Sequence, residues 1–117
     1  MGDVPTTNER EIHELLLKIG VPTNLTGFMY LTTAEVMVLR DPTELYKVTA
    51  LYAGIAKKHH ASIESVERSI RHAIRVAWLN GNMAFMKDLF QYSISPVKGS
   101  PTNSQFISRL YFYLANQ

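Results

Sequence analysis

The stretch from Ile55 to Trp78 separates its apolar and basic residues onto opposite faces of a helix that follows a short turn. At about 100° per residue, six apolar residues of its second part share one face: Ile63, Val66, Ile70, Ala73, Ile74 and Ala77. The basic residues fall on the other face: Arg68, Arg71, His72 and Arg75. Such a helix must bury its apolar face against the rest of the fold, which leaves a row of positive charge outside. The pattern predicts a helix over residues 63–79 in a packed helical protein.

A shorter predicted helix, over about residues 53–59, directly precedes this one. Ile55 and Ala56 are predicted on its inner face, and Lys57 and Lys58 on its outer face. Two helices joined by a short turn form a helix-turn-helix, a unit whose second helix enters the major groove in many DNA-binding proteins. The spacing therefore predicts such a unit, with the arginines of its second helix facing outward.

The turn between the two predicted helices contains residues suited to it. His60 can adopt the left-handed backbone conformation that ends a helix, which His tolerates better than most residues other than Gly. Ser62 is a good N-cap for the second helix, because its hydroxyl can accept a hydrogen bond from an unpaired backbone N–H. Glu64, in the first turn, is favoured by the helix dipole. These residues agree on one boundary between the two helices.

Charge is distributed unevenly along the chain. Residues 1–56 hold four Lys or Arg against seven Asp or Glu, a net charge of −3, whereas residues 57–117 hold eight against three, a net charge of +5. A protein that binds phosphates needs such a local positive field, because its affinity for nucleic acid depends largely on counterion release by Lys and Arg. A basic helix face also fits an ordinary solvated surface, and the basic second half of the chain favours nucleic-acid binding.

The helical period dominates the rest of the chain, and the alternation typical of a strand is absent. Further helices are predicted over residues 9–19, 27–40, 43–52, 83–91 and from Thr102 onward. Asn8 and Asn82 are predicted N-caps, and Thr102 with Gln105 has the pattern of a capping box. These boundaries predict about six helices.

Each of these helices has apolar residues spaced to share an inner face. The residues predicted to be buried are Ile12, Leu15, Leu16, Ile19, Phe28, Leu31, Val38, Leu39, Met86, Leu89, Phe90, Phe106, Ile107, Leu110 and Leu114. Residues 93–101, rich in Ser, Pro and Gly, are predicted as a loop, and residues 1–8 as a flexible leader. The expected fold is all-α, in a single domain over residues 1–117.

Composition and motifs exclude several classes of protein. The chain has no Cys, which excludes a disulfide scaffold and thiol chemistry, and no continuous apolar run of about 18 residues that could span a membrane. Neither a Gly-rich phosphate loop nor a nucleophile elbow is present. Four histidines, His13, His59, His60 and His72, lack the spacing of metal ligands. We therefore expect a soluble cytoplasmic protein that is not an enzyme and uses no metal or other cofactor.

Several short motifs match one known family. They are IAKK from Ile55, VERSIRHAIRVAW from Val66, GVP from Gly20, Tyr30-Leu31 and PTNSQF from Pro101. With these motifs the chain resembles the DNA-binding effector domain of the stage-zero sporulation response regulator, over nearly its whole length. The resemblance implies a sequence-specific transcription regulator of the sporulation initiation type.

The resemblance also implies that the helix over residues 63–79 enters the major groove of DNA. Four of its residues match the family pattern: Glu67, Arg68, Arg71 and His72. Ser65 stands where members usually have an Arg that reads bases. Because Ser cannot contact guanine through two hydrogen bonds as Arg does, we expect groove binding with a different preferred DNA sequence.

The side-chain chemistry of each candidate DNA-binding residue suggests its role. Arg68 and Arg71 are the candidates for guanine contacts. Glu67 is expected to accept a hydrogen bond from a cytosine amino group or to orient Arg71. The other candidates are Ser65 and His72 for base edges or phosphates, and Lys57, Lys58 and Arg75 mainly for phosphates.

Several partners follow from the resemblance. They are double-stranded DNA, a second copy of the domain on that DNA, and the sigma subunit of RNA polymerase, which would meet residues 82–92. No membrane partner is expected. A protein–protein interaction module that retains the fold but not DNA binding is the alternative, and Tyr111-Phe112-Tyr113 supports it. Three consecutive aromatic residues on a helix cannot all face one core, so at least one should be exposed.

Overall fold

The computed structural model describes residues 7–90 and 99–116, and within these residues the chain forms α-helices, one 3₁₀ turn and no strand. The helices are α1 (Thr7–Ile19), α2 (Thr26–Arg40), α3 (Val48–His59), α4 (Ile63–Asn80), α5 (Met83–Phe90) and α6 (Asn103–Ala115), and the 3₁₀ turn is Pro42–Tyr46. The predicted all-α fold is confirmed. Most of the predicted leader and of the predicted loop over residues 93–101 lies outside the described residues. Among the described helices, none combines the length and apolarity needed to cross a membrane.

Helix α2 is central, because it packs against α1, α3, α4 and α6. Nine of its fifteen residues are buried. Gly27 allows α2 to approach α4 closely, since a Cβ atom on Gly27 would lie 2.4 Å from the backbone oxygen of Ser69 and 2.6 Å from the Cβ of Ala73. Helix α2 therefore supports the inner face of α4 directly.

The junction between α1 and α5 holds the C-terminal end of α4. The backbone N–H of Asn82 donates to the carbonyl oxygen of Ile19 at 2.9 Å. A Cβ atom on Gly81 would lie 2.4 Å from that same oxygen, so the contact needs a glycine there. Gly20 has a φ of +104°, a left-handed conformation that favours glycine, and it turns the chain after α1. The C-terminal end of α4 is thus tied to the end of α1.

Nearly all residues predicted for the inner faces are buried, with two exceptions. Leu39 is half-buried. Ile63, predicted on the apolar face of α4, is 39% exposed. It is the first residue of the helix and follows the exposed residue Ser62, so fewer neighbours cover it than cover the next turns.

The segment before α4 differs from the prediction. Separate helices are predicted over residues 43–52 and 53–59, but Val48–His59 forms one helix and Pro42–Tyr46 forms a 3₁₀ turn. The side chain of Asp41 accepts a hydrogen bond from the backbone N–H of Thr43 at 3.2 Å. Such local bonding stabilises a turn in competition with a helix, which explains why residues 43–46 do not form the start of the α-helix predicted over residues 43–52.

Two of the three predicted caps outside the helix-turn-helix are confirmed. The Oδ1 of Asn82 accepts from the backbone N–H of Phe85 at 3.1 Å, and Thr102 with Gln105 forms a capping box. The predicted N-cap at Asn8 is wrong, because α1 begins at Thr7 and Asn8 lies within its first turn. The helical period predicts that a helix is present, but it does not define the first residue to better than one or two positions.

Candidate nucleic-acid interface

The turn between α3 and α4 is built as the sequence predicts. His60 ends α3 in the left-handed conformation, with φ of 56° and ψ of 45°. The backbone N–H of Ala61 donates to the carbonyl oxygen of Ala56 at 2.9 Å, which closes the last turn of α3. The hydroxyl of Ser62 accepts from the backbone N–H of Ser65 at 3.1 Å and so caps α4. Local bonding therefore fixes where α4 begins and how it leaves the turn.

Basic residues occupy the face of α4 opposite its buried residues. The exposed ones are Arg68, Arg71, His72 and Arg75, and the buried ones are Val66, Ile70, Ala73, Ile74 and Ala77. The apolar face packs on α2, α3 and α6, so these contacts prevent α4 from rotating its cations inward. The structure thus brings four of the predicted DNA-binding residues onto one accessible surface.

Within this surface, Glu67 and Arg71 form an ion pair. The guanidinium of Arg71 donates to the Oε2 of Glu67, four residues earlier on the helix. The side chain of Arg71 remains 53% exposed. Exposed pairs at this spacing contribute only about 0.3 to 0.5 kcal/mol to stability. The pair therefore does little for the fold, and it biases the guanidinium of Arg71 toward Glu67.

Arg68, His72 and Arg75 differ from Arg71 in their contacts. None of their three side chains has a hydrogen bond or an ion pair with another residue of the described ranges. Their side chains project from α4 into solvent. They are accordingly the cations that a polyanion could contact without first displacing a protein partner.

The remaining predicted site residues lie close to the turn. Lys57 and Lys58 are exposed in the last turn of α3, where positive side chains also interact favourably with the negative end of the helix dipole. Ser65 is half-buried in the first turn of α4. Its short side chain leaves that turn without the long cation that a guanidinium would provide.

The two adjacent histidines point in different directions. His60 is exposed, whereas His59 is half-buried and its Nε2 lies 2.8 Å from the Oγ1 of Thr33. The ring of His59 also contacts the ring of Tyr30, with centroids 5.2 Å apart. Burial, together with the charges of Lys58 and His60, lowers the pKa of His59. His59 therefore joins α3 to α2 and belongs to the support of the turn.

Asn103 makes a contact with α4, and a second one with Tyr52 of α3, that the sequence interpretation missed. Asn103, the first residue of α6, is 8% exposed, and its amide reaches the backbone of Glu67 and the hydroxyl of Tyr52. Asn103 lies inside the PTNSQF motif, and the capping box does not use it. This unexplained polar residue was the signal that could have indicated a contact. An open groove beside Arg71 and Arg75 runs between α4 and the segment 100–104.

A comparison with known families agrees with this geometry. The family model described as "Sporulation initiation factor Spo0A C terminal" matches residues 12–114, which is nearly the whole chain. The match includes the turn, both helices around it and the capped start of α6. The family consists of DNA-binding transcription-factor domains and is not an enzyme family. An all-α chain with a capped turn, an outward basic helix and this match belongs to the Spo0A C-terminal family of sporulation initiation factors.

Proposed function

We propose that the domain binds double-stranded DNA sequence-specifically and regulates transcription at sporulation initiation, with α4 in the major groove. The observation that carries this proposal is the exposed basic face of α4, which is oriented by a buried opposite face and by the capped turn before it. A helix of this width fits the major groove, where each base pair presents a distinct pattern of donors and acceptors. Membership of the family supports the same function.

Arg68 and Arg71 are proposed to contact guanine. Arg68 extends from the middle of the exposed face without a partner in the described ranges, so both of its outer nitrogens are available for O6 and N7. Arg71 is oriented by Glu67, which supports the orienting role expected for that carboxylate. The second carboxylate oxygen of Glu67, Oε1, would accept from a cytosine amino group while Oε2 holds Arg71.

The remaining candidates are proposed mainly to hold the helix on the DNA backbone. Lys57, Lys58 and Arg75 would contact phosphates, which position a protein on DNA without reading sequence. His72 and Ser65 would contact base edges or phosphates. Because Ser65 is short and half-buried, we infer that the first turn of α4 discriminates bases weakly.

A homodimer on DNA and contact with the sigma subunit of RNA polymerase are proposed from the family, in the cytoplasm. Of the segment proposed to meet sigma, residues 82–90 are described, and Met83–Phe90 forms α5. Its apolar residues Met86, Leu89 and Phe90 are buried, and Lys87 with Asp88 is exposed. Met83 in the first turn of α5 is also exposed, so a sigma contact through this helix would combine an apolar side chain with Lys87 and Asp88.

An electrophoretic shift with random duplex DNA across a salt series tests the proposal. Log affinity should fall linearly with log salt, with a slope of about −0.9 for each phosphate contacted. Selection from a random DNA library should then yield one preferred site. The absence of salt-dependent binding would contradict the proposal and favour the protein–protein interaction module, for which Phe112, 48% exposed, is the available apolar surface on α6.

A further inference from the structure

The side chain of Asn103 connects three helices at one point. Its Nδ2 donates to the backbone oxygen of Glu67 in α4 at 3.1 Å and to the hydroxyl oxygen of Tyr52 in α3 at 3.1 Å. The side chain of Glu67 does not bond to Asn103, because it pairs with Arg71. Buried amides are retained where their donors are satisfied, so these two bonds are what permits Asn103 to be buried.

The start of α6 holds this amide in a fixed place. The backbone N–H of Gln105 donates to the Oγ1 of Thr102 at 3.1 Å, and the backbone N–H of Thr102 donates to the Oε1 of Gln105 at 2.9 Å. These two exposed side chains complete the cap without any contribution from Asn103. The amide of Asn103 is therefore not needed for the cap and can form hydrogen bonds to α3 and α4.

The bond from Asn103 to α4 ends on the backbone of Glu67, whose side chain pairs with one of the two arginines proposed to read bases. The carboxylate of Glu67 holds Arg71, and Arg68 is the next residue along the helix. We propose that Asn103 is a positioning residue, which fixes the rotation and depth of α4 at Glu67 so that Arg68 and Arg71 meet the bases together. This inference rests on the proposed DNA-binding function.

Positioning should matter more for base contacts than for phosphate contacts. Two parallel hydrogen bonds to guanine require good distance and alignment, whereas flexible lysines can follow a phosphate through a small displacement. Loss of the Asn103 amide should therefore lower affinity for the preferred site about tenfold. A loss of this size corresponds to one well-aligned hydrogen bond to a base. Affinity for random DNA should change by less than about twofold.

The test compares Asn103→Ala with Tyr52→Phe. Tyr52→Phe removes the second acceptor of the same amide and leaves the bond to Glu67, so it controls for disturbance of the junction. Fluorescence anisotropy titrations with the preferred duplex and a scrambled duplex give the ratio of the two affinities. We expect that ratio to fall about tenfold in Asn103→Ala and to stay near wild type in Tyr52→Phe.

Asn103→Asp provides a second variant in case Asn103→Ala does not fold. The carboxylate keeps the shape and can accept from the hydroxyl of Tyr52, but no donor then faces the carbonyl of Glu67, so the ratio should fall again. An unchanged ratio in a folded Asn103 variant, judged by circular dichroism, overturns the positioning role alone. Wild-type protein that binds neither duplex overturns the proposed function and the positioning role with it, which distinguishes the two failures.

Discussion

Helices α2 and α4 pack against each other, but charged residues in their middle turns lie in opposite environments. Helix α4 exposes its arginines, where water solvates the charge. Helix α2 buries Glu35 completely, and neither carboxylate oxygen has a hydrogen-bond partner among the described residues. Burial raises the pKa of Glu35 well above its usual value. The charges of α4 are thus available to a partner, whereas the carboxyl of α2 lowers the stability of the fold.

This difference predicts that substitutions in the two helices affect different measurements. Removing an exposed cation from α4 should change affinity for DNA and leave the free energy of unfolding almost unchanged. Removing the buried carboxyl of α2 should do the reverse. Between them lies the α2–α4 contact at Gly27, where both properties should change together.

Gly27→Ala should have the largest effect on stability. The new Cβ atom would meet the backbone of Ser69 and the side chain of Ala73 at less than 3 Å, so α2 and α4 must move apart. Overpacking of this kind costs about 3 kcal/mol, which urea denaturation would measure. Gly54→Ala is the matched control, because its Cβ would meet only the flexible end of Met37. Equal losses in the two variants would show that α2 does not fix the position of α4.

Arg68→Ala should lower affinity for the preferred DNA site by about 1 to 3 kcal/mol and relax base choice at one position. Since Arg68 is exposed and unpaired in the described ranges, its free energy of unfolding should change by less than about 0.5 kcal/mol. Titration calorimetry with the selected duplex and a urea melt would give both values. Arg40→Ala, at the exposed end of α2, serves as the control. Equal losses on selected and random DNA would contradict the role of Arg68 in base reading.

Glu35→Gln should stabilise the protein at neutral pH by about 1 to 2 kcal/mol. Below about pH 4.3, the ordinary pKa of Glu, the carboxyl is protonated in both the folded and the unfolded chain. As pH rises toward the raised pKa of the folded state, only the unfolded chain releases the proton, so stability falls. Gln does not titrate and keeps the size of the side chain.

The stability difference between Glu35→Gln and wild type should therefore appear above about pH 4.3 and vanish below it. Urea melts across pH would measure this difference. Glu14→Gln, on the exposed face of α1, is the control and should show no comparable gain. A gain of the same size at low pH would mean that deprotonation of Glu35 is not the cause.

Local signals in the sequence predicted much of the helix-turn-helix. His60, Ser62, Asn82 and Thr102 act on residues within one turn of themselves, so each cap could be inferred from its neighbours. The same holds for the basic face of α4, whose period of about 3.6 residues is visible in the chain. The roles of its residues on DNA stay predictions.

Contacts between distant residues could not be inferred in the same way. The amide of Asn103 bonds to Glu67, 36 residues earlier, and no periodic pattern links them. Glu35 carries a charge that ordinarily marks an exposed helix position, yet the central location of α2 buries it. Ile63 follows the apolar period but lies at a helix end, where packing rather than spacing decides exposure. Tertiary contact, and not local preference, decides all three.

The smallest predicted effect on DNA affinity is that of replacing Lys58. This substitution tests whether attraction to phosphates is separate from base reading. Lys58→Ala should weaken binding to every sequence alike, by less than about 1 kcal/mol, and reduce the salt slope by about one. Lys47→Ala is the control, because Lys47 precedes the opposite end of α3, about 16 Å away at 1.5 Å per residue. Binding of selected and random duplexes across a salt series would measure both variants. If Lys58→Ala instead changed base preference, the division between a phosphate-binding end of α3 and a base-reading face of α4 would be wrong.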